Sequence, residues 1–315
     1  MVETASTREV AGQTLLELGD RYPDLVVLGG DLNKSTFANM FGAKYPERFF
    51  DFGPAEQNIV SAAAGMAASG KISVVSTFAV FATSRPYDQL RVGVSQSGLN
   101  VKVVSTHSGI VTGEDGVSAH SIEDIALMCA LPGFTVVVPA DAPEAVSAVE
   151  AAVGTDGPFY VRLSRPATPV VHNGLSEFKL GKAEELRAGS DVTIIACGIM
   201  VSAALEAAEE LSATGISARV LNMSTLKPLD EAAIVAAARE TAAIVTAEEH
   251  YVSGGLASLV SQVVARETPV PIEVVALDGY TESGTADELL AKYHLTAKDV
   301  SAAVGKVIGR KRSQS

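Results

Sequence analysis

The sequence has no tryptophan, only two cysteines, and aromatic residues amounting to 5%. No apolar run approaches the ~20 residues that a membrane helix needs, and Met1 is not followed by a basic, then apolar, then small-residue leader. These absences point to a cytoplasmic protein. Positive charge is also scarce: 24 Lys and Arg against 37 Asp and Glu give a formal net charge of −13. That balance favours solubility and argues against broad binding to nucleic acid or anionic membranes, so a phosphate-bearing ligand has to be met by local cations. Cys129 and Cys197 lie far apart, in apolar surroundings and without metal-type spacing, and are expected to be buried free thiols. The basic cluster Arg310, Lys311 and Arg312 reads as a solvated tail. No G-x-G-x-x-G opens a helix after a strand and no G-x-x-x-x-G-K-[ST] occurs, which removes the usual dinucleotide and P-loop phosphate cradles.

What is present is an alternation. With 315 residues, 47% of them hydrophobic, the chain is long enough for two domains that each bury a core. Short β-branched runs at 26–30, 72–78, 101–106, 135–139 and 160–163 alternate with helical stretches at 56–68, 122–130 and 143–153. This predicts a mostly parallel α/β sheet with helices on both faces. A second series of strands at 192–197, 218–222, 243–246 and 272–276 is separated by alanine-rich helices at 201–213 and 231–238, predicting a smaller α/β domain. Paired prolines at Pro166 and Pro169 and an Asn173-Gly174 turn place a linker near 166–190, between a first domain over 1–170 and a second over 190–315.

Several stretches carry candidate chemistry at the ends of these strands. Ala55-Glu-Gln-Asn-Ile-Val60 opens a helix at Glu56, where a glutamate by itself is a favourable charge at a helix N-terminus. Thr77-Phe-Ala-Val-Phe81 places two aromatics at a strand end, which in isolation reads as core. Gly113-Glu-Asp-Gly116 follows a buried strand and alone is an acidic turn. Gly29-Gly-Asp-Leu-Asn-Lys-Ser35 offers loop-capping side chains. Arg162-Leu-Ser-Arg165 puts guanidinium groups where one can clamp a phosphate through two parallel hydrogen bonds.

Together these stretches resemble the transketolases over nearly the whole chain, and more narrowly the C-terminal section of a split, two-subunit transketolase. The resemblance implies a thiamine-pyrimidine-binding domain followed by a transketolase C-terminal-like domain. It makes Glu56 the carboxyl group that hydrogen-bonds the pyrimidine ring nitrogen of thiamine diphosphate and favours the imino tautomer able to take the thiazolium proton. Phe78 and Phe81 then form the pyrimidine pocket, with Phe81 the main stacking ring, and Asp31 lies near the thiazolium. Ser35, His107 and Arg165 are implied to bind the substrate phosphate, and Asp115 a sugar hydroxyl near the reacting carbon. The family pattern Gly-Glu-Asp-Gly-x-Ser-[His/Gln] puts Ala119 in the last place and His120 just after it, so His120 is open between contacting substrate and lying at the surface or behind the contacting residues. Pro54 stands where the family has a large aliphatic residue that props the cofactor in its bent conformation. The stretch between Phe81 and Asp88 is longer than in the animal type, which leaves Ser84, Arg85 and Tyr87 without assigned roles.

The activity so implied is transfer of a two-carbon ketol unit between phosphorylated sugars, as in the pentose phosphate pathway. Complete transketolases bind Mg²⁺ and the diphosphate through Gly-Asp-Gly and a downstream Asn; this arrangement is missing here, so no metal ligand is assigned to this chain. A separate N-terminal subunit is expected to supply it, with two copies of each chain in the assembly. Two alternatives compete: the β subunit of a 2-oxo-acid dehydrogenase E1 component, and a non-catalytic assembly or regulatory subunit.

Overall fold

A computed structural model of the protein describes residues 3–172 and 178–313. The first half runs β1 (Thr4–Ala5), α1 (Thr7–Arg21), β2 (Leu25–Gly29), α2 (Asn39–Lys44), β3 (Phe49–Asp51), α3 (Glu56–Ala68), β4 (Ile72–Ser76), α4 (Ala79–Thr83), β5 (Val101–Ser105), α5 (Asp124–Ala130), β6 (Thr135–Val137), α6 (Ala142–Gly154), β7 (Phe159–Arg162) and β8 (Thr168–Pro169). The second runs β9 (Glu184–Arg187), β10 (Val192–Ala196), α7 (Met200–Ser212), β11 (Ala218–Asn222), β12 (Thr225–Lys227), α8 (Glu231–Thr241), β13 (Ile244–Tyr251), α9 (Leu256–Glu267), β14 (Ile272–Leu277), α10 (Ala286–Lys292) and α11 (Ala297–Arg312).

Among the described residues these strands form a seven-stranded sheet ordered β12-β6-β7-β5-β4-β2-β3, a five-stranded sheet ordered β14-β13-β10-β11-β9, and a small β1-β8 ladder. All neighbours in the large sheet are parallel except β12, and all in the second except β9. Central parallel strands are covered on both faces, so β2, β5 and β10 read as continuous buried runs without polar alternation. The α/β expectation holds.

Because β12 leaves the second half to pair with β6, the two halves share a core. One cluster joins Val138 and Tyr160 of the first half to Ile195, Leu226 and Leu256 of the second. Strand β13 is longer than the 243–246 expected, because Glu248, Glu249 and His250 continue it as buried polar residues that interrupt the apolar pattern. Their burial is offset by partners: Glu248 accepts from the backbone N–H groups of Leu256 (2.6 Å) and Ala257 (2.8 Å) at the start of α9. The basic cluster also departs from expectation. Arg310 and Arg312 are exposed as expected, but all three residues belong to helix α11, with Arg310 paired to Glu273 at 2.6 Å and Lys311 donating to the Thr241 carbonyl at 2.8 Å, so the cluster is an anchored helix end and not a tail. Cys197 is buried and Cys129 only partly so; both are free, and burial raises both thiols, Cys129 to about 12. No helix among the described residues is long and apolar enough to cross a membrane.

The Asn173-Gly174 turn lies outside the described residues. Just before it, Asp141, the N-cap of α6, accepts from the backbone N–H groups of Val171 and His172. The His172 ring bridges Asp141 (2.9 Å) and Glu184 on β9 (3.1 Å). Burial by itself would lower the His172 pKa, but the Asp141 hydrogen bond and the charges of Glu144, Asp141 and Glu184 outweigh it and raise the ring to about 9. A pKa raised on folding contributes stability that is fully present below the unfolded value near 6.5 and lost as pH rises through about 9. His172→Gln should therefore cost roughly 2 kcal/mol at pH 6 and much less at pH 9.5, as read from urea unfolding midpoints of the two proteins across that range.

Candidate active site

In a parallel sheet the loops leaving the C-terminal strand ends gather along one edge, where α/β proteins place their ligands. The candidate residues fall on five such loops, after β2, β3, β4, β5 and β7. The loops after β2 and β3 are fastened to each other. Asn33 donates to Asp51 at 2.8 Å, Asp51 accepts from the Gly53 N–H at 2.9 Å, and a Cβ on Gly30 would come within 2.6 Å of the Gly53 carbonyl. The turn at Gly53, φ +63°, then directs the chain into α3. Glu56 is the first residue of that helix and only 4% exposed, while Pro54 beside it is exposed. Asp31 is exposed and Ser35 half-buried on the β2 loop.

Phe78 and Phe81 lie on either side of the start of α4. Their rings are 5.9 Å apart and near parallel, and Phe78 also stacks on His107 at 3.6 Å. Phe78 is the buried member of the pair and Phe81 is half-buried. Over Phe81 sits the Arg85 guanidinium, 4.1 Å from the ring centroid, and it donates to Glu56 Oε1 at 2.8 Å. One planar cation therefore touches both a carboxylate and an aromatic face.

His107 takes a left-handed backbone, φ +58°, which turns the chain immediately after β5. Its Nδ1 is 2.8 Å from Thr106 Oγ1, and its carbonyl accepts from Thr112 Oγ1 at 2.7 Å. Burial, then the positive charges of Arg8 and Arg165, push its pKa down to about 3. The ring is neutral at physiological pH, so it can offer an anion a hydrogen bond but no charge. The charge sits on the two arginines. Arg8, in the first turn of α1, donates to the Ser35 carbonyl at 2.7 Å; its own pKa is lowered by burial and then by Arg165. Arg165 donates through one nitrogen to the Thr112 carbonyl (2.5 Å) and to Glu114 (2.8 Å). Two like charges held together mark a place where an anion is favoured. The sequence reading missed Arg8, since an arginine after Thr7 at a helix start carries no local signal.

The acidic loop forms two short 3₁₀ turns over Ile110–Asp115, broken by a kink at Gly113 (φ +77°), with Asp115 exposed at its end. It is braced from below and from the second half of the chain. Glu249 accepts from the Val111 N–H at 2.7 Å, Ser283 Oγ donates to the Glu114 carbonyl at 2.5 Å, and His120 joins the Gly113 carbonyl (2.9 Å) to Thr281 (2.6 Å). His120 is 1% exposed with both ring nitrogens engaged, which is the supporting arrangement; Ala119 is buried beside it. Burial raises Glu249 to about 7, against the opposing influence of Arg162. The chain passes so close to Glu249 that a Cβ on Gly109 would lie 2.0 to 2.2 Å from its carboxyl atoms, at a φ of +73° that side chains disfavour.

A family model described as "Transketolase, pyrimidine binding domain" matches residues 3–171, and one described as "Transketolase, C-terminal domain" matches 181–300. The chain is 41% identical to a putative transketolase C-terminal section of Methanocaldococcus jannaschii over 298 residues, covering 93% of each. It is also 41% identical to the 6-deoxy-6-sulfo-D-fructose transketolase subunit SqwH of Clostridium sp. (strain MSTE9), covering 96% of this chain and 95% of that one. Against human transketolase-like protein 2 the identity is 38% over 95% of this chain, which spans only 48% of that protein. Among solved structures, a split gene transketolase described as an inactive β4 tetramer superposes with a TM-score of 0.91 at 46% identity, over 98% of this chain and 99% of that one. A Pichia stipitis transketolase shares the fold, with a TM-score of 0.84 at 22% identity over 99% of this chain and 47% of that one.

Gly109→Ala tests the bracing. It should destabilise the protein by about 1–3 kcal/mol in chemical unfolding, with the loss confined to the loop and its Glu249 contact in hydrogen exchange. A variant as stable as wild type would mean that the loop is not held by Glu249.

Proposed function

This chain belongs to the transketolase family, and from that premise we propose that it is the C-terminal section of a split transketolase and transfers two-carbon ketol units between phosphorylated sugars, with Glu56 as the residue that activates the cofactor. The family is thiamine-diphosphate-dependent and its members are transferases; the 2-oxo-acid dehydrogenase alternative gives way to that assignment. The observation carrying the proposal is that a buried carboxyl, Glu56, and a half-buried aromatic, Phe81, both engage the Arg85 guanidinium, on the same sheet edge as Arg8 and Arg165.

The residues fit an aminopyrimidine. Glu56 has a carboxyl oxygen turned to a planar nitrogen donor, and Phe81 carries a flat group on its face. When bound, thiamine diphosphate supplies the nucleophilic carbon that breaks and makes the sugar carbon–carbon bond. Glu56 would hold or release a proton at the pyrimidine ring nitrogen, and its burial excludes competing water. Phe78 and Phe81 orient the ring, and the exposed Asp31 and Asp115 lie on loops at the mouth, Asp115 to receive a sugar hydroxyl. Arg8 and Arg165 would hold the far anionic end of the substrate, with Ser35 and neutral His107 adding hydrogen bonds.

Mg²⁺ and the diphosphate are assigned to a separate N-terminal subunit. Supporting this, the chain matches 93% and 95% of two relatives named as a section and a subunit but only 48% of human transketolase-like protein 2. The 46% identical relative described as inactive is a β4 assembly, which suits a chain that is catalytically incomplete by itself. Purified alone with thiamine diphosphate and Mg²⁺, the protein should give no ketol transfer, and adding the partner should restore it, in an assembly with two copies of each chain. In that assembly Glu56→Gln should lower kcat more than about tenfold while thermal stability barely changes. Full activity without a partner, or a Glu56→Gln variant near wild-type rate, would overturn the proposal.

A second reading of the sugar comes from the Clostridium relative, whose name specifies a sulfonated ketose. A two-arginine site accepts a sulfonate as well as a phosphate, since both present tetrahedral oxygens. Arg165→Ala should raise KM at least about tenfold for acceptors with a terminal anion and leave glycolaldehyde nearly unaffected. Wild-type kcat/KM for xylulose 5-phosphate against 6-deoxy-6-sulfo-D-fructose decides between the two anions. Equal losses on all acceptors would make Arg165 a structural residue.

A further inference from the structure

Arg85 falls in the stretch that departs from the family in length, and the structure gives it a specific place. Its guanidinium lies over Phe81 at 4.1 Å and donates to Glu56 Oε1 at 2.8 Å. A planar, delocalised group with N–H donors at its edge, stacked on an aromatic face and bonded to a carboxylate, reproduces the features by which an aminopyrimidine would be recognised there. Both groups would need the same ring face and the same carboxyl oxygen. We infer that Arg85 occupies the aminopyrimidine's place in the chain by itself and is displaced when the cofactor binds, so that the Arg85 side chain is an internal competitor for the site. This rests on the thiamine reading of Glu56 given above.

The two partners are unequally placed. The Glu56 side chain is 5% exposed and that of Arg85 is 48% exposed. The carboxylate is fixed by its position at the start of α3, whereas the arginine extends from the residue after the C-cap of α4 and can swing into water with little loss of solvation. Among the described residues no other cation is ion-paired with Glu56, so Arg85 also compensates a carboxylate that would otherwise be buried alone. The consequence is a site whose carboxylate is neutralised until a flat, nitrogen-bearing ring replaces the guanidinium. If the Arg85-in arrangement holds most of the population, the apparent dissociation constant for the ring is raised by the reciprocal of the open fraction.

The test uses the full chain and 4-amino-5-hydroxymethyl-2-methylpyrimidine, the pyrimidine portion of the cofactor, titrated by ligand-observed NMR so that no partner subunit or activity is needed. Arg85→Met, which keeps length and bulk but cannot bond to Glu56, should bind the pyrimidine about fivefold more tightly than wild type, and Arg85→Lys, which keeps the charge but not the plane, should fall between. In wild type, saturating pyrimidine should speed phenylglyoxal labelling of Arg85 as followed by mass spectrometry. Unchanged or weaker binding by Arg85→Met, no binding by either protein, or protection of Arg85 from the reagent would each overturn the inference. Adding Glu56→Gln to Arg85→Met separates this failure from that of the parent reading. If tight binding persists without the Glu56 carboxylate, the thiamine role of Glu56 fails; if it is lost while wild type and Arg85→Met bind alike, only the competitor does.

Discussion

The buried guanidinium of Arg162 is the constraint on which the site depends. It lies at the end of β7, 4% exposed, and donates to Asp124 at 2.8 Å, to the Ser121 carbonyl at 3.1 Å and to the Glu249 carbonyl at 3.0 Å. A charge taken out of water must have its hydrogen bonds met, and here the acceptors come from a helix start, a loop and a strand of the other half of the chain. Tyr160 donates to the same Asp124. One side chain thus fixes how β13 approaches the large sheet, and with it where Glu249 and the loop over Ile110–Asp115 must lie.

From that geometry follows a division of labour among residues of similar type. Arg162 donates through Nε and Nη2 to three acceptors and holds the structure, while Arg165, three positions on, keeps a third of its side chain exposed and acts on Arg8 through its charge. Of the histidines, His107 is neutral because burial and the two arginines oppose its proton, His120 is committed to Gly113 and Thr281, and His172 is held protonated by carboxylates at the junction with β9. Burial and neighbours, more than residue type, decide which of these groups can meet a ligand.

Much of the fold was legible because parallel sheets write themselves as apolar runs separated by helical periodicity, and α3 over Glu56–Ala68 was read with both ends correct. Strand β13 was cut short for a physical reason: its latter half is polar and buried, so its burial depends on partners at Leu256, Ala257 and Val111 that no local pattern reveals. That the basic cluster is a helix end and not a tail was hidden the same way, since the acceptors of Arg310 at Ile272 and Glu273 are remote in the chain.

By itself the sequence determined the α/β class, the transketolase resemblance and the short motifs that bring Glu56, Phe81, Asp115 and Arg165 to strand ends, because each of these is a property of neighbouring residues. Only the tertiary structure decided that the charges of Arg8 and Arg165 converge on His107, that Arg85 covers Phe81 and pairs with Glu56, and that His107 is uncharged. Charge state and ion pairing depend on distance and burial between groups far apart in sequence, and folding alone sets both.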